Sequence, residues 1–439
     1  MVDENKAEKH IARTIALPAL LVISLLVARL VMHSKTGIRL SAPIELSRSG
    51  LSLSMPSGNG WKCEDKWTYE NNIFSTSSVF AAGGAANQSY AQCRYLLAAQ
   101  KDTPLERASR HYIKTETTET GIIMAGDITI DWASVTTDAG FEIIVGVGEL
   151  AGGRQLEIEV LLTAEEQGRA QQVFDKIVKS IRFSDNGLLQ AGTRLISDIR
   201  NKGLDIDSSV SFFTIADPHN KIIGFTMDAM ELVRTDANTT INAADYYYLR
   251  GTVSDEQVSF LRGGADLRQF TWRVETSSRM GSNGLEMSAD SGILTVRRLR
   301  TASPFNKRTG KETGEYELGE TAVPDIVLEP ILRKILDSNN PAVIIDVVRS
   351  EGIVTPIYIE KISATTGQTD GNSIKTEWLD GRNYKEQTYY DDSKKRVKIV
   401  LEQESTYTLN RSDANEIIRI FPERANLVRD KNQILDRKF

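Results

Sequence analysis

Two cysteines, four histidines and eleven prolines are all that 439 residues contain of these types, and each shortage excludes a chemistry. His10 and His33 fall within the first 33 residues, while His111 and His219 stand alone. There is no HExxH, no CxxC pair, no GxSxG and no phosphate-binding glycine loop, so zinc, serine-hydrolase and nucleotide chemistry lack their usual residues. Gly83-Gly84 and Gly263-Gly264 read as turns. Asp205 and Asp207 sit two apart without further oxygen ligands and read as a solvated turn, and Asp391-Asp392 fits a hairpin tip. No catalytic residue, metal ligand or cofactor is expected, and the chain reads as a non-enzyme. Basic residues are also too few and too scattered to suggest nucleic acid: 53 Lys and Arg stand against 59 Asp and Glu, for a net charge of −6. The runs Arg297-Arg298-Leu299-Arg300 and Lys394-Lys395-Arg396 read as decorations of strand ends or hairpins.

Long apolar runs are equally scarce, with one exception. Residues 14–28 (TIALPALLVISLLVA) carry no charge, and the stretch continues past Arg29 to His33, about the ~20 residues that span a bilayer core. No small-x-small cleavage site follows it, so it reads as an uncleaved signal-anchor helix over 14–33 rather than a removable signal peptide. On this reading residues 1–13 are a cytoplasmic N-terminus. The bulk of a single-pass membrane protein then lies on the periplasmic side. Basic residues hardly separate the two flanks, Lys6, Lys9 and Arg13 before the run against Arg29, Lys35 and Arg39 after it.

The remainder is ordinary globular material, 40% hydrophobic and 26% charged, enough for two or three cores. An α+β fold in two modules is expected. Over 38–184, strand-like alternation comes first and a long helix last. Thr103-Pro104-Leu105-Glu106 places a hydroxyl at the N-cap, proline at N1 and a carboxylate at N3. Thr163-Ala164-Glu165-Glu166 repeats the box, and Ala170, Val173, Phe174, Ile177, Val178 and Ile181 then form an apolar stripe at helical spacing. Cys63 and Cys93 either close one disulfide, as an oxidising compartment would allow, or remain separate thiols.

A polar joint, Ser184-Asp185-Asn186-Gly187, leads to a helix over 188–200. A β meander follows, then a polar stretch at 301–320 that reads as a loop. Val327, Leu328, Ile331, Leu332, Ile335 and Leu336 next mark a short helix with Pro330 kinking or restarting it. More hairpins come after it, and a last helix is capped at Asp413 and stopped at Pro422. A charged tail, 426–439, closes the chain.

The residues Gly50-Leu51-Ser52-Leu53-Ser54-Met55-Pro56 leading to Trp61, with Phe174 to Phe183 at the other end, resemble the start and end of PsbP-like domains. The resemblance implies a small α/β/α sandwich over 38–184 and an assembly or accessory role. The order of elements over 188–425 resembles the antiparallel half-barrels related in shape to LolA-type lipoprotein carriers. That resemblance implies a curved sheet with covering helices, in which the six residues from Val327 to Leu336 would plug the concave side or simply complete the core. Two functions follow as expectations: a membrane-tethered envelope scaffold with protein partners, and a carrier of lipid or another apolar ligand. The scaffold reading places partner contacts at Lys307, Arg308 and Lys311 and at the tail residues Arg429, Lys431, Arg437 and Lys438.

Overall fold

The computed structural model describes residues 38–430 apart from 71, 81–88, 111–114, 164–167, 207, 236–237, 252–254, 279–280, 301–310 and 363–371. Short strands β1 (Arg39–Leu40), β2 (Ile44–Leu46), β3 (Leu51–Leu53) and β4 (Pro56–Ser57) open this part of the chain. Next come β5 (Trp61–Cys63), β6 (Thr68–Glu70), β7 (Ile73–Phe80), β8 (Tyr90–Leu96) and helix α1 (Pro104–Ser109). Strands β9 (Thr115–Ala125), β10 (Ile128–Thr137), β11 (Glu142–Leu150) and β12 (Arg154–Leu162) precede helix α2 (Ala170–Ser180) and β13 (Arg182–Phe183). The main sheet runs β5-β7-β8-β12-β11-β10-β9, with β6 paired to β7.

Helix α1 starts as its sequence directs. The Thr103 hydroxyl accepts the Glu106 N–H, and the Glu106 carboxylate accepts the Thr103 N–H at 2.7 Å. The strands present alternate residues to opposite faces. Ile144, Ile158 and Val160 therefore meet Val173, Phe174, Ile177 and Val178 of α2 on one side, while Val135, Ile143 and Val145 meet Ala108 of α1 on the other. Each fully buried aliphatic contributes about 1.5–3 kcal/mol relative to exposure. The layers are α/β/α.

Helix α3 (Leu188–Lys202) joins the modules. Its Gly192 lies so close to the sheet that an added Cβ would sit 1.9 Å from the Ile344 carbonyl oxygen. The second module strings β14 (Ser209–Ala216), β15 (Ile222–Arg234), β16 (Thr239–Leu249), β17 (Asp255–Gly264), β18 (Phe270–Ser278), β19 (Gly281–Asp290), β20 (Ile293–Arg300) and β21 (Lys311–Glu317) into one meander. After β22 (Ala322–Pro324) and helix α4 (Leu328–Asp337), a second meander holds β23 (Ala342–Val348), β24 (Val354–Ile362), β25 (Ser373–Trp378), β26 (Lys385–Tyr390), β27 (Arg396–Glu402) and β28 (Thr406–Ser412). Pairing of β14 with β28 joins the two meanders into a single sheet with β21 and β22 as its outer strands. Helices α5 (Ala414–Ile420) and α6 (Ala425–Arg429) end the described chain.

The sheet wraps around α4. Ile331, Leu332 and Ile335 share one core with Ile241, Leu261, Trp272 and Met287 from the first meander and with Ile345, Ile357 and Ile374 from the second. The outer face of β15 and β16 is apolar as well: Phe225, Met227, Tyr246 and Tyr248 are covered by Ile417 of α5, Phe421 just after it and Val428 of α6.

Several expectations are corrected. The fold is mostly β rather than α+β, because the helices serve only as short amphipathic covers, the longest being the 15 residues of α3. The expected membrane span is not supported either: no described helix is long and apolar enough to cross a membrane. Residues 14–33 lie outside the described residues, as do 1–13, and the single-pass, periplasmic-side localisation drawn from that span has no structural support. Residues 311–317 of the expected polar loop form the edge strand β21, since an outer strand needs no apolar face on both sides. Gly263 and Gly264 are the last two residues of β17 and lead into a turn in which Leu267 N–H donates to the Gly264 carbonyl; the Gln269 carbonyl oxygen would lie 2.7 Å from a Cβ at Gly263. The second capping box has its residues 164–167 outside the described set, and the helix it introduces begins at Ala170. Pro330 restarts the helix: a 3-10 turn at Asp325–Val327 precedes α4.

Candidate functional site

The two modules meet through a buried ion pair. Arg154, the first residue of β12, donates from Nη2 to the Asp346 carboxylate of β23 at 2.7 Å, and each side chain is 1% exposed. Neighbouring groups bond both members of the pair, although Arg154 Nε itself has no partner among the described residues. Arg154 Nη1 donates to the Leu97 carbonyl at 3.2 Å, and the Thr321 hydroxyl donates to the second Asp346 oxygen at 2.9 Å. Burial opposes the charge on Arg154, and Asp346, together with Tyr95 and Tyr69, more than offsets it, raising the guanidinium pKa. Beside it the β6–β7 hairpin grips β24: the Tyr69 hydroxyl donates to the Val354 carbonyl, and the Val354 N–H donates to Asn72 Oδ1 at 2.7 Å. Arg48 adds a bond to Glu377 at 3.3 Å and lies over the Tyr358 ring.

A cleft of about 500 Å³ opens next to this junction. Leu96, Gln100, Lys101, Asp102 and Arg110 form the wall from the first module, and Glu315, Tyr316 and Glu317 of β21 form the other. Three consecutive strand residues line the space, so it meets β21 edge-on rather than along one face. The opposite wall is held in place by Arg107 of α1, which donates to the carbonyls of Gln100 and Asp102 and to Glu157 at 2.6 Å.

Inside the half-barrel, beyond α4, the lining turns from apolar to charged. Asp228 and Asp245 stand directly opposite one another on β15 and β16, an arrangement that costs energy when both are ionised. Arg396 of β27 binds Asp228 at 2.6 Å and approaches Glu329 at 3.9 Å, while Arg333 binds Glu329 at 2.9 Å. The Glu386 carboxylate accepts the Thr388 hydroxyl at 2.8 Å. Burial first, then Asp228 and Asp325, push the Asp245 carboxyl well above the usual range, against the pull of Arg396. Burial, with Glu351 and Glu386 adding to it against Arg349, pushes Asp325 up to about 7. Glu386 is raised by burial too, against Thr388 and Arg396.

The residues singled out from sequence are placed as follows. Cys63 on β5 and Cys93 on β8 are both free thiols, kept apart by β7 between them. Two strand spacings of about 4.8 Å exceed disulfide reach. Val327, Ile331, Leu332, Ile335 and Leu336 are core residues with at most 6% exposure, and Leu328 packs against them. Lys311 begins β21, and Arg429 ends α6 in an exposed position. Lys307, Arg308, Lys431, Arg437 and Lys438 lie outside the described residues. Sequence reading missed the interior charges altogether. Their one signal is an acidic residue at an inward position of an otherwise apolar strand, as Asp228 is within Phe225-Thr-Met-Asp-Ala-Met230.

Together these features define a β-rich protein with an α/β/α first module and a barrel-like second one. No family model matches the chain, and no curated protein matches it. Among solved structures it is similar to a beta-barrel-like protein of the domain of unknown function DUF1849 from Brucella abortus, at 9% identity and a TM-score of 0.34, over 46% of this chain and 95% of that one. It is similar also to the cyanobacterial PsbP protein CyanoP from Synechocystis, at 10% identity and a TM-score of 0.25, over 34% of this chain and 95% of that one. A DUF1329 family protein from Desulfovibrio piger is similar at 15% identity and a TM-score of 0.12, over 51% of this chain and 90% of that one. These are slight likenesses of shape.

Proposed function

We propose that this chain is a non-catalytic scaffold or accessory protein that holds an extended segment of a protein partner in the cleft between its modules. The observation that supports the reading is the outer edge of β21 lying along that cleft. An unpaired strand edge offers a row of backbone donors and acceptors to an added strand. The opposite wall, fixed by Arg107, supplies side-chain contacts from Lys101 and Arg110. A partner strand gains main-chain bonds on one side and shape on the other.

The test compares hydrogen exchange of the β21 amides in the purified chain and in the chain isolated under native conditions, with a photo-crosslinker at Tyr316 to map the bound segment. Slowed exchange, with crosslinks confined to one extended segment of one protein, supports the proposal. Equal exchange in both preparations, with unchanged complex size, refutes it. A LolA-like carrier of lipid or another apolar ligand is the weaker reading, because α4 fills the concave face that an acyl chain would need. A discrete apolar mass retained in native mass spectrometry would favour it.

A further inference from the structure

At the seam where β14 and β28 join the two meanders, basic side chains from several elements reach one opening. A cleft of about 270 Å³ is lined by Arg333 of α4, Lys395 just before β27, Arg396 of β27 and Arg411 of β28, with Asp228 and Glu329 among them. Four cations face two carboxylates. The volume lies below the ~300 Å³ at which pockets for drug-sized ligands begin, so the space suits a small ion.

Strand pairing fixes this convergence. Ser211 stands opposite Asp228 and Ser209 opposite Met230 on β15, while Arg411 stands opposite Phe213. Residues two apart on a strand share a face, and so do residues directly opposite one another. Ser209, Ser211, Asp228 and Arg411 therefore project to the same side of the sheet, and Arg396 joins them over the Phe213 ring.

More donors reach the cleft than its carboxylates use. Arg396 donates from Nη2 to Asp228 at 2.6 Å and keeps Nε 3.9 Å from Glu329. Arg333 donates from Nε and Nη2 to one oxygen of Glu329, at 3.1 and 2.9 Å. Among the described residues, Nη1 of each arginine makes no bond. Arg411 stays 3.8 Å from Asp391, beyond hydrogen-bond reach. Lys395 donates its backbone N–H to Asp391, and its ammonium meets no described carboxylate. The hydroxyls of Ser209 and Ser211, both in the lining, likewise bond no described group.

Donors that converge from three strands and a helix suit a tetrahedral anion with several oxygens better than a planar carboxylate. The two carboxylates in the wall add a selection. One oxygen of Asp228 and one of Glu329 accept no hydrogen bond among the described residues. A singly protonated phosphate has oxygens to receive bonds and a hydroxyl to give one. A fully ionised sulfate has nothing to give these carboxylates and is repelled by them. We propose that the seam cleft binds a singly protonated phosphate group, free or carried on a small ester. Arg333, Lys395, Arg396 and Arg411 neutralise it, and Asp228 or Glu329 accepts the bond from its hydroxyl. Val210 and Met230 in the lining offer an apolar wall to an ester substituent. The site is separate from the β21 cleft and does not depend on it.

The test is calorimetric titration of the full chain at pH 7 with inorganic phosphate, glycerol 3-phosphate, monomeric dihexanoyl phosphatidic acid and sodium sulfate. Saturable binding of a phosphate, sulfate weaker by about tenfold or more, and phosphate affinity reduced about tenfold by Arg411→Gln and by Lys395→Gln are the expected results. Arg411 is 40% exposed and Lys395 is exposed, so neither substitution threatens the fold. The tightest of the three phosphates identifies the source as the free ion, a soluble ester or a lipid headgroup. No saturable heat from any phosphate overturns the proposal. So does sulfate binding as tight as that of phosphate, or unaltered affinity in either variant, since each reduces the cleft to an unselective basic surface.

Discussion

Two enclosed clusters of charge in this molecule have opposite characters. At the module junction, Arg154 and Asp346 are as buried as any leucine, and the carbonyl of Leu97 and the hydroxyl of Thr321 are spent on them. In the barrel interior, Asp228 and Asp245 are placed face to face, Arg396 is shared between Asp228 and a Glu329 that Arg333 also binds, and the Tyr390 hydroxyl is left over. A paired buried charge holds two modules together; like charges set face to face cost energy that protonation relieves. Burial alone does not tell the two clusters apart; the balance of opposite charges does.

The contrast can be broken from either side. The largest effect is expected at the junction: Asp346→Ala strands the Arg154 guanidinium in a dry interface and is expected to cost about 3–5 kcal/mol. Urea unfolding followed by tryptophan fluorescence measures it. A cost below about 1 kcal/mol would mean that water reaches Arg154, and the contrast would collapse.

The interior is expected to respond with the opposite sign. Asp325 titrates near 7 in the folded chain and at about 4 when unfolded. The stability linked to it is whole below about pH 4 and is lost as the pH rises through 7. Asp325→Asn is therefore expected to gain on the parent between pH 4 and 8, by up to about 4 kcal/mol. Parallel stability curves for the two proteins across that range would show the carboxyl to be solvated.

Helix α4 separates the dry part of the barrel from the charged part, and Ile331, fully buried, is expected to behave as core. Ile331→Ala should cost about 3 kcal/mol in thermal or urea unfolding. A change under about 1 kcal/mol would return the helix to the role of a displaceable plug. The smallest effect concerns the two thiols. Burial raises the pKa of Cys63 and raises that of Cys93 much further. Iodoacetamide is expected to label half-buried Cys63 slowly and Cys93 only on unfolding, as peptide mass spectrometry of timed samples would show. Equal rates would mean that the first module opens around β7 and β8.

Much of the architecture was legible in particular residues. The box at Thr103 to Glu106 and the stripe from Val173 to Val178 each set a helix, because capping and amphipathic spacing are local properties. The apolar helix after Pro324 was legible for the same reason. The edge strand at 311–317 was not, since Lys-Glu-Thr-Gly-Glu-Tyr-Glu shows no alternation of apolar with polar residues. Nor was the second apolar face of β15 and β16: Phe225 and Met227 alternate with Thr226 and Asp228, and Tyr246 and Tyr248 flank a third tyrosine, Tyr247. The helices that cover them come more than 160 residues later in the chain.

The cleft and the charged interior lie further still from any sequence pattern. Arg396 read as a hairpin decoration because two lysines precede it, yet β27 carries it inward to Asp228, 168 positions away. Sequence by itself determined the local matters: where helices begin, which stripes seek a core, and which catalytic signatures are missing. Tertiary structure alone decided which charges are paired, because pairing depends on register and curvature across strands that only the closed sheet brings together.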